Sequence, residues 1–178
     1  MTFVTKRLTL RPWSEDDAEQ LYRYASDPRV GPAAGWPVHT SVENSREIIR
    51  TVLSAPGTYA VVLRETNEVV GSVGLMTPGS GNVEMQPGEM ELGYWIGRPL
   101  WGQGLIPEAC AELLRYAFTE KNCTAVWCCH FVGNEKSARV QEKLGFRYHH
   151  TECGIKVLGE LKDEVGNRLT REEWELGK

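Results

Sequence analysis

The apolar positions along the chain fall into two periods. Leu8 and Leu10 alternate with polar neighbours across Arg7–Arg11, which predicts a first strand. Ser14 stands ahead of Glu15, Asp16 and Asp17, a cap before an acidic first turn, and Leu21 and Tyr24 continue the apolar face of that helix. A second helix is expected from Thr40, with Glu43 as its capping-box partner and Ile48, Ile49, Val52 and Leu53 as its buried face; the Ala55-Pro56-Gly57 turn ends it. Thr58–Arg64 and Val69–Met76, joined through Thr66-Asn67, predict a β-hairpin. Leu92–Ile96 predicts a fourth strand. Thr124–Phe131, apolar on both faces and therefore central, predicts a fifth. Phe146–Thr151 and Glu164–Leu169 supply two more. Ile106, Cys110, Leu113, Leu114, Ala117 and Phe118 share one face of a helix beginning at Pro107. Asn134 caps another, ended by Gly145, and Thr170 with Glu173 opens a short terminal helix containing Trp174.

The resulting order, β α α β β β α β α β β, is that of an α/β (α+β) chain. Its two strand-to-helix units after residue 90 bring the starts of two helices, near Pro107 and Asn134, to one end of the sheet, beyond the carboxyl ends of strands where ligands bind. Two stretches stand outside the pattern. Asp27–Thr40 is a long Pro- and Gly-rich loop carrying Trp36 and His39, and Thr77–Gly88 reads as a mobile excursion.

The most informative connection is Gly97–Leu105. No Ser, Thr, Asp or Asn precedes Pro107 to cap the first turn, so its N–H groups point outward, and Gly102 and Gly104 allow another molecule to approach the backbone closely. That is a recipe for a phosphate site; a tight turn with its donors met by water is the other reading. A P-loop needs Lys and Ser or Thr after its last Gly, where Leu105 and Ile106 stand. A dinucleotide fingerprint needs a third Gly, where Pro107 stands.

Length and charge narrow the rest. The 178 residues suit one domain, 1–178, and the net charge of −4 disfavours an electrostatic nucleic-acid binder. No run of about 18 apolar residues spans a membrane, and MTFVTKRLTLRPW lacks a signal-peptide core, so the expected location is the cytoplasm. Five cysteines at irregular spacing give neither a disulfide framework nor a zinc site; buried reduced thiols are expected, and no metal.

Taken together, RLTLRPW, ELGYWIG followed by WGQGLIPEA, Asn134 with SARVQEKLGF, and TREEW resemble the GCN5-related N-acetyltransferase (GNAT) superfamily, most of all the Rim-like branch of ribosomal-protein N-terminal acetyltransferases. The ordered set covers essentially the whole chain. Trp101 holds the loop position usually taken by Arg or Gln, as is common in that branch, and Ile106 departs mildly from Gly or Ala. The resemblance implies a mixed, mostly antiparallel seven-stranded sheet with helices on both faces, splayed between strands four and five. It also implies acetyl-CoA as co-substrate, no metal, and transfer to a primary amine (a protein N-terminus, a polyamine or a small molecule) by direct attack in a ternary complex. It assigns the pyrophosphate to the N–H groups of Gly102, Gln103, Gly104, Leu105 and Ile106 beside Trp101, the pantetheine arm to the backbone of Trp95, Ile96 and Gly97, and further cofactor contacts to Asn134 and Ser137. A monomer or a homodimer is equally compatible with it. A non-catalytic acyl-CoA-binding or sensing module of the same fold is the alternative, and a nucleotide-binding regulator a more distant one.

Acetyl transfer needs a base for the ammonium and a donor for the thioester carbonyl. Glu91, at the start of strand four where the superfamily often keeps a carboxylate, is the candidate base, acting through water; Glu91 and Glu89 as solvated edge residues is the competing reading. A backbone N–H near Ile96 is the candidate carbonyl donor. The Tyr that many members carry four residues before the Gly-Phe pair is absent, Gln141 standing there. Ser137, at the place of the Ser assigned as acid in the Rim-like branch, is the candidate acid. Trp36 and His39 are candidate acceptor contacts, although a lone His in such a loop is more often an exposed bystander. His149 and His150, adjacent in a strand, are expected on opposite faces.

Overall fold

The structure, a computed structural model, describes residues 1–81 and 83–177; Asn82, in the expected excursion, lies outside the described residues. Its strands are β1 Phe3–Val4, β2 Leu8–Arg11, β3 Thr58–Leu63, β4 Val69–Met76, β5 Glu89–Ile96, β6 Ala125–Phe131, β7 Arg147–Val157 and β8 Glu160–Thr170. Its helices are α1 Ala18–Ala25, α2 Val42–Ile48, α3 Leu105–Thr119, α4 Glu135–Lys143 and α5 Arg171–Leu176. The sheet order is β1-β2-β3-β4-β5-β6-β8-β7, eight strands rather than the seven expected. The addition is β1, two residues paired antiparallel with Thr9 and Leu10. β5 and β6 are parallel and pair at three positions only, ending at Glu91–Trp127. That short ladder is the parting expected one strand earlier in the numbering.

The chain divides into two compact units, residues 1–74 with 94–109, and residues 75–93 with 110–178. In the first, Trp13, Leu21, Ala25, Ile49, Ala60 and Val62 form a buried cluster, with Trp36, Leu53 and Trp95 packed against it. Ser14 and Asp17 make the capping box that starts the α1 region, and Arg11 grips Asp17 through two hydrogen bonds of 2.7 and 2.8 Å. The α2 cap is Ser41, one residue beyond the expected Thr40: the extended Ser41 accepts from the Asn44 N–H, while the Thr40 N–H donates to the Asn44 side chain. A π-helical turn over Ile49–Leu53 then widens the spiral, with the Ser54 N–H reaching Ile49. The wider turn rotates Val52 out of the expected buried face, leaving it 54% exposed while Ile49 stays buried.

α3 begins at Leu105 rather than Pro107. The Glu108 N–H donates to the Gly104 carbonyl, so Pro107 sits within the first turn, where its missing N–H removes nothing. In the second unit Cys110, Leu113, Leu114, Ala117 and Phe118 of α3 are all buried, as the spacing predicts, along with Val126, Cys128 and Leu169. Asn134 caps α4 by accepting from the Ser137 N–H, and Gly145 takes the left-handed conformation after it, with φ 87°. β7 and β8 form one long hairpin turning at Leu158 and Gly159. It extends well past both predicted strands, because glycines and charges at 152–163 hide the pattern.

Candidate active site

In the first unit the chain passes from β5 into the expected anion loop. Gly71 exists for this crossing: a Cβ there would lie 2.3 Å from the Trp95 carbonyl oxygen. A Cβ on Gly97 would lie 2.3 Å from the Tyr24 ring. The Gly97 N–H donates to Val70, and the Trp101 indole donates to the Ile96 carbonyl at 3.0 Å. Gly102 and Gly104 both have positive φ, 78° and 74°, a conformation L side chains rarely adopt, and the space beside Gly102 is open to 4 Å. Leu105 and Ile106 turn their side chains inward, both buried, so what they offer a ligand is backbone N–H. The helix's first-turn N–H groups have no intrahelical acceptor, as at any helix start, and a helix start is where anions bind.

Trp36 and His39 belong to the same unit. Trp36 meets Trp95 edge-on at 5.4 Å and His39 at 5.3 Å. His39 is not the exposed bystander expected of such a loop. It is buried, its Nδ1 lies 2.8 Å from the Ser45 hydroxyl, and burial lowers its pKa.

The second unit carries the carboxylates. Glu89 and Glu91 are two residues apart on β5, hence on one face. Both are buried, so neither is the solvated edge residue considered from sequence. Glu89 is fully engaged: it accepts from Arg168 at 2.5 Å, from the Trp127 indole at 2.8 Å and from the Gln86 N–H at 3.0 Å. Burial would raise its pKa, but those hydrogen bonds and the Arg168 charge bring it below the ordinary value. The Glu91 carboxylate lies 3.4 Å from the Val83 N–H, and a Cβ on Gly81 would strike it at 2.2 Å. Glu91 shares its field with Glu164 and Glu152, which face each other across the β7–β8 ladder. Burial, then Glu91 and Glu152, push the Glu164 carboxyl up. Beside this group is a cleft of about 510 Å³ lined by Trp127, His149, His150, Glu84, Glu152 and Arg168, among others.

His149 and His150 do not diverge as expected. A register shift in β7 between Tyr148 and His150 breaks the alternation, and both rings pack edge-on against Trp127 with their Nδ1 atoms 3.0 Å apart. No group of three or more metal-ligating side chains occurs among the described residues. Cys110, Cys123 and Cys128 are buried thiols; Cys129 is partly buried and Cys153, against expectation, exposed. Gln141 is completely buried. It donates to the Cys129 carbonyl and to the Ser137 hydroxyl, and accepts from Asn167 at 2.6 Å.

Three features escaped the sequence reading. Glu152 lay just past the predicted strand Phe146–Thr151 and Glu164 at the start of the predicted strand Glu164–Leu169, but nothing in either pattern paired the two carboxylates. Gln141 stands out in the sequence only as the absence of a tyrosine, not as a buried residue. The link from Arg7 to Glu108, 101 residues away, leaves no local signal.

Residues 7–147 match the acetyltransferase (GNAT) domain family, and the chain belongs to it. The fold and its relatives define an N-acetyltransferase. The chain is 32% identical over 151 residues to "Uncharacterized N-acetyltransferase p20" of Bacillus licheniformis, covering 82% of each chain. It is 39% identical over 95 residues to "Putative ribosomal N-acetyltransferase YdaF" of Bacillus subtilis (strain 168), covering 53% of this chain and 52% of that one. Among solved structures, a GNAT-family acetyltransferase from Bacillus anthracis superposes with a TM-score of 0.84 at 24% identity, covering 97% of this chain and 99% of the other.

Proposed function

We propose that the chain transfers the acetyl group of acetyl-CoA to a primary amine, with Gly102–Ile106 holding the pyrophosphate and Glu91 receiving the amine's proton. The observation that carries this reading is the glycine turn itself: two positive-φ glycines lead into an α3 first turn whose Leu105 and Ile106 side chains face inward. The backbone of Trp95–Gly97 takes the pantetheine arm, and Asn134 and Ser137 complete the cofactor contacts.

Acetyl-CoA supplies a thioester whose carbonyl carbon the amine nitrogen attacks; the new C–N bond forms as the C–S bond breaks and the thiol leaves. Glu91 takes a proton from the substrate ammonium through a water molecule, and the amine this frees attacks the carbonyl; the nitrogen's second proton is lost as the amide forms and the thiol departs. The Ile96 N–H draws charge onto the carbonyl oxygen. Ser137 stands as proton donor to the departing sulfur. Gln141 occupies the family's tyrosine position, but its buried hydrogen bonds give it no proton to lend.

Glu91, Glu164 and Glu152 make the acceptor side anionic, which favours a cationic amine. The cleft beside Trp127 gives room for more than the amine, and this favours a peptide N-terminus over a small molecule. The B. subtilis relative, named as a ribosomal N-acetyltransferase, makes ribosomal-protein N-terminal peptides the first acceptors to try.

The test is free-thiol release from acetyl-CoA across N-terminal peptides, polyamines and small amines, repeated with Glu91→Gln. Turnover on at least one class, falling about 100-fold or more in the variant while coenzyme A affinity holds, is the expected result. Tight coenzyme A binding with no turnover on any amine would instead mark a binding or sensing module.

A further inference from the structure

The anion loop is held from behind by a residue at the other end of the sequence. Arg7 Nη1 donates to the Gln103 carbonyl at 2.9 Å, and Arg7 Nη2 comes within 3.6 Å of where a Gly104 Cβ would stand. The same guanidinium is fixed by Glu108 in the first turn of α3: Arg7 Nε donates to Oε2 at 2.7 Å, and the Arg7 backbone N–H donates to Oε1 at 2.8 Å. Thr5 closes the arrangement, its hydroxyl donating to Glu108 Oε1 at 2.6 Å. In a planar trans peptide the C=O and N–H point in opposite directions. Drawing the Gln103 carbonyl toward Arg7 therefore turns the Gly104 N–H away from Arg7, to the side an incoming anion must use. Gly104 itself takes a positive φ of 74°, the left-handed conformation that glycine tolerates.

Glu108 poses a second problem that Arg7 solves. A carboxylate in the first turn suits the helix dipole, but it repels a diphosphate bound at that same turn. Burial would raise its pKa, yet the hydrogen bonds from Thr5 and Arg7 more than reverse this, so the carboxylate stays charged. Its charge has to be matched by a cation on the loop's own side.

We propose that Arg7 is a positioning residue for the diphosphate of coenzyme A: through the Gln103 carbonyl it aims the Gly104 N–H at the anion, and it cancels the first-turn carboxylate of Glu108, which would repel it. This rests on the cofactor reading above. It predicts a loss of cofactor affinity confined to ligands that carry the diphosphate, with the chemical step untouched.

The experiment is calorimetric binding of coenzyme A and of pantetheine, which lacks the diphosphate, to the whole chain, with steady-state kinetics alongside. Arg7→Gln is expected to weaken coenzyme A and raise the acetyl-CoA KM at least 10-fold, with kcat within 2-fold and pantetheine binding unchanged. Arg7→Gln with Glu108→Gln is expected to recover a part of that loss, since the repelling charge is gone. Equal coenzyme A affinity in Arg7→Gln and wild type overturns the inference while leaving the cofactor reading intact. So does an equal loss for pantetheine, or a double variant no better than the single one, either of which makes the link purely structural. Wild-type protein that binds no coenzyme A removes the cofactor reading and the inference together.

Discussion

Replacing Arg168 with Met separates the two buried glutamates of β5. Arg168 is 31% exposed at its side chain and Glu89 only 5%, and the Glu89 carboxylate rests on that cation, the Trp127 indole and the Gln86 N–H. Met keeps most of the apolar stem over Trp127 and removes the charge. A fully buried carboxylate that loses its cation costs about 3–5 kcal/mol; with one partner reaching solvent and two donors kept, about 2–4 kcal/mol is expected at pH 7. In a chain of this size that lowers Tm by roughly 4–16 °C. Glu89→Gln leaves no buried charge and should cost about 1–2 kcal/mol, and the double variant should be more stable than Arg168→Met alone. The pH dependence fixes the cause. In the wild type the Glu89 carboxyl lies below its ordinary value, so its contribution is present above the unfolded pKa and fades as pH falls through the folded one. Without Arg168 the buried carboxyl moves above its ordinary value, the folded state binds the extra proton, and the variant recovers as pH falls. The Tm gap between wild type and Arg168→Met should therefore narrow from pH 7 to pH 5. A gap independent of pH, or a double variant as unstable as Arg168→Met, would refute the reasoning. Thiol-release kinetics complete the separation: Glu89→Gln should keep kcat within about 3-fold, where Glu91→Gln collapses it.

Other variants probe the remaining parts. Gly71→Ala drives a methyl to 2.3 Å from the Trp95 carbonyl, so it should destabilise by about 1–3 kcal/mol in urea titrations and raise the acetyl-CoA KM. Ser137→Ala should lower kcat less than about 10-fold in the thiol-release assay, because a thiolate leaves readily; a loss beyond 100-fold would make Ser137 an obligatory acid. Under native conditions iodoacetamide followed by peptide mass spectrometry should label Cys153 first, since Cys110 is buried and Cys129 partly buried, with burial pushing both thiols up; labelling of Cys110 in the folded chain would contradict the packing.

What the sequence revealed follows from range. Caps and faces are local, so Ser14, Asn134, Thr170 and the α3 face from Ile106 to Phe118 were readable from spacing alone. The Thr40 assignment missed by one residue because Ser41 offers the same hydroxyl and only its extended backbone decides between them. Val52 was lost to a π-turn and the His149–His150 pair to a strand irregularity; both shift a period without changing composition. At the site, the glycine turn was legible because it is contiguous. The carboxylate group of Glu91, Glu152 and Glu164 was not, since β5 and the distant β7–β8 hairpin supply it together. Gln141 was legible as the absence of a tyrosine but not as the hub of a buried network.

In the proposed function the turn at Gly102–Ile106 binds the diphosphate of acetyl-CoA. Calorimetric titration of wild type and Gly102→Val with coenzyme A tests it, because a β-branched side chain at φ 78° strains that turn although its Cβ meets no atom within 4 Å. Saturable one-to-one binding by the wild type, weakened at least about 30-fold in a variant that still unfolds cooperatively with Tm lowered by only about 2–8 °C, is the predicted result. A Gly102→Val chain that binds coenzyme A as tightly as wild type would contradict the account.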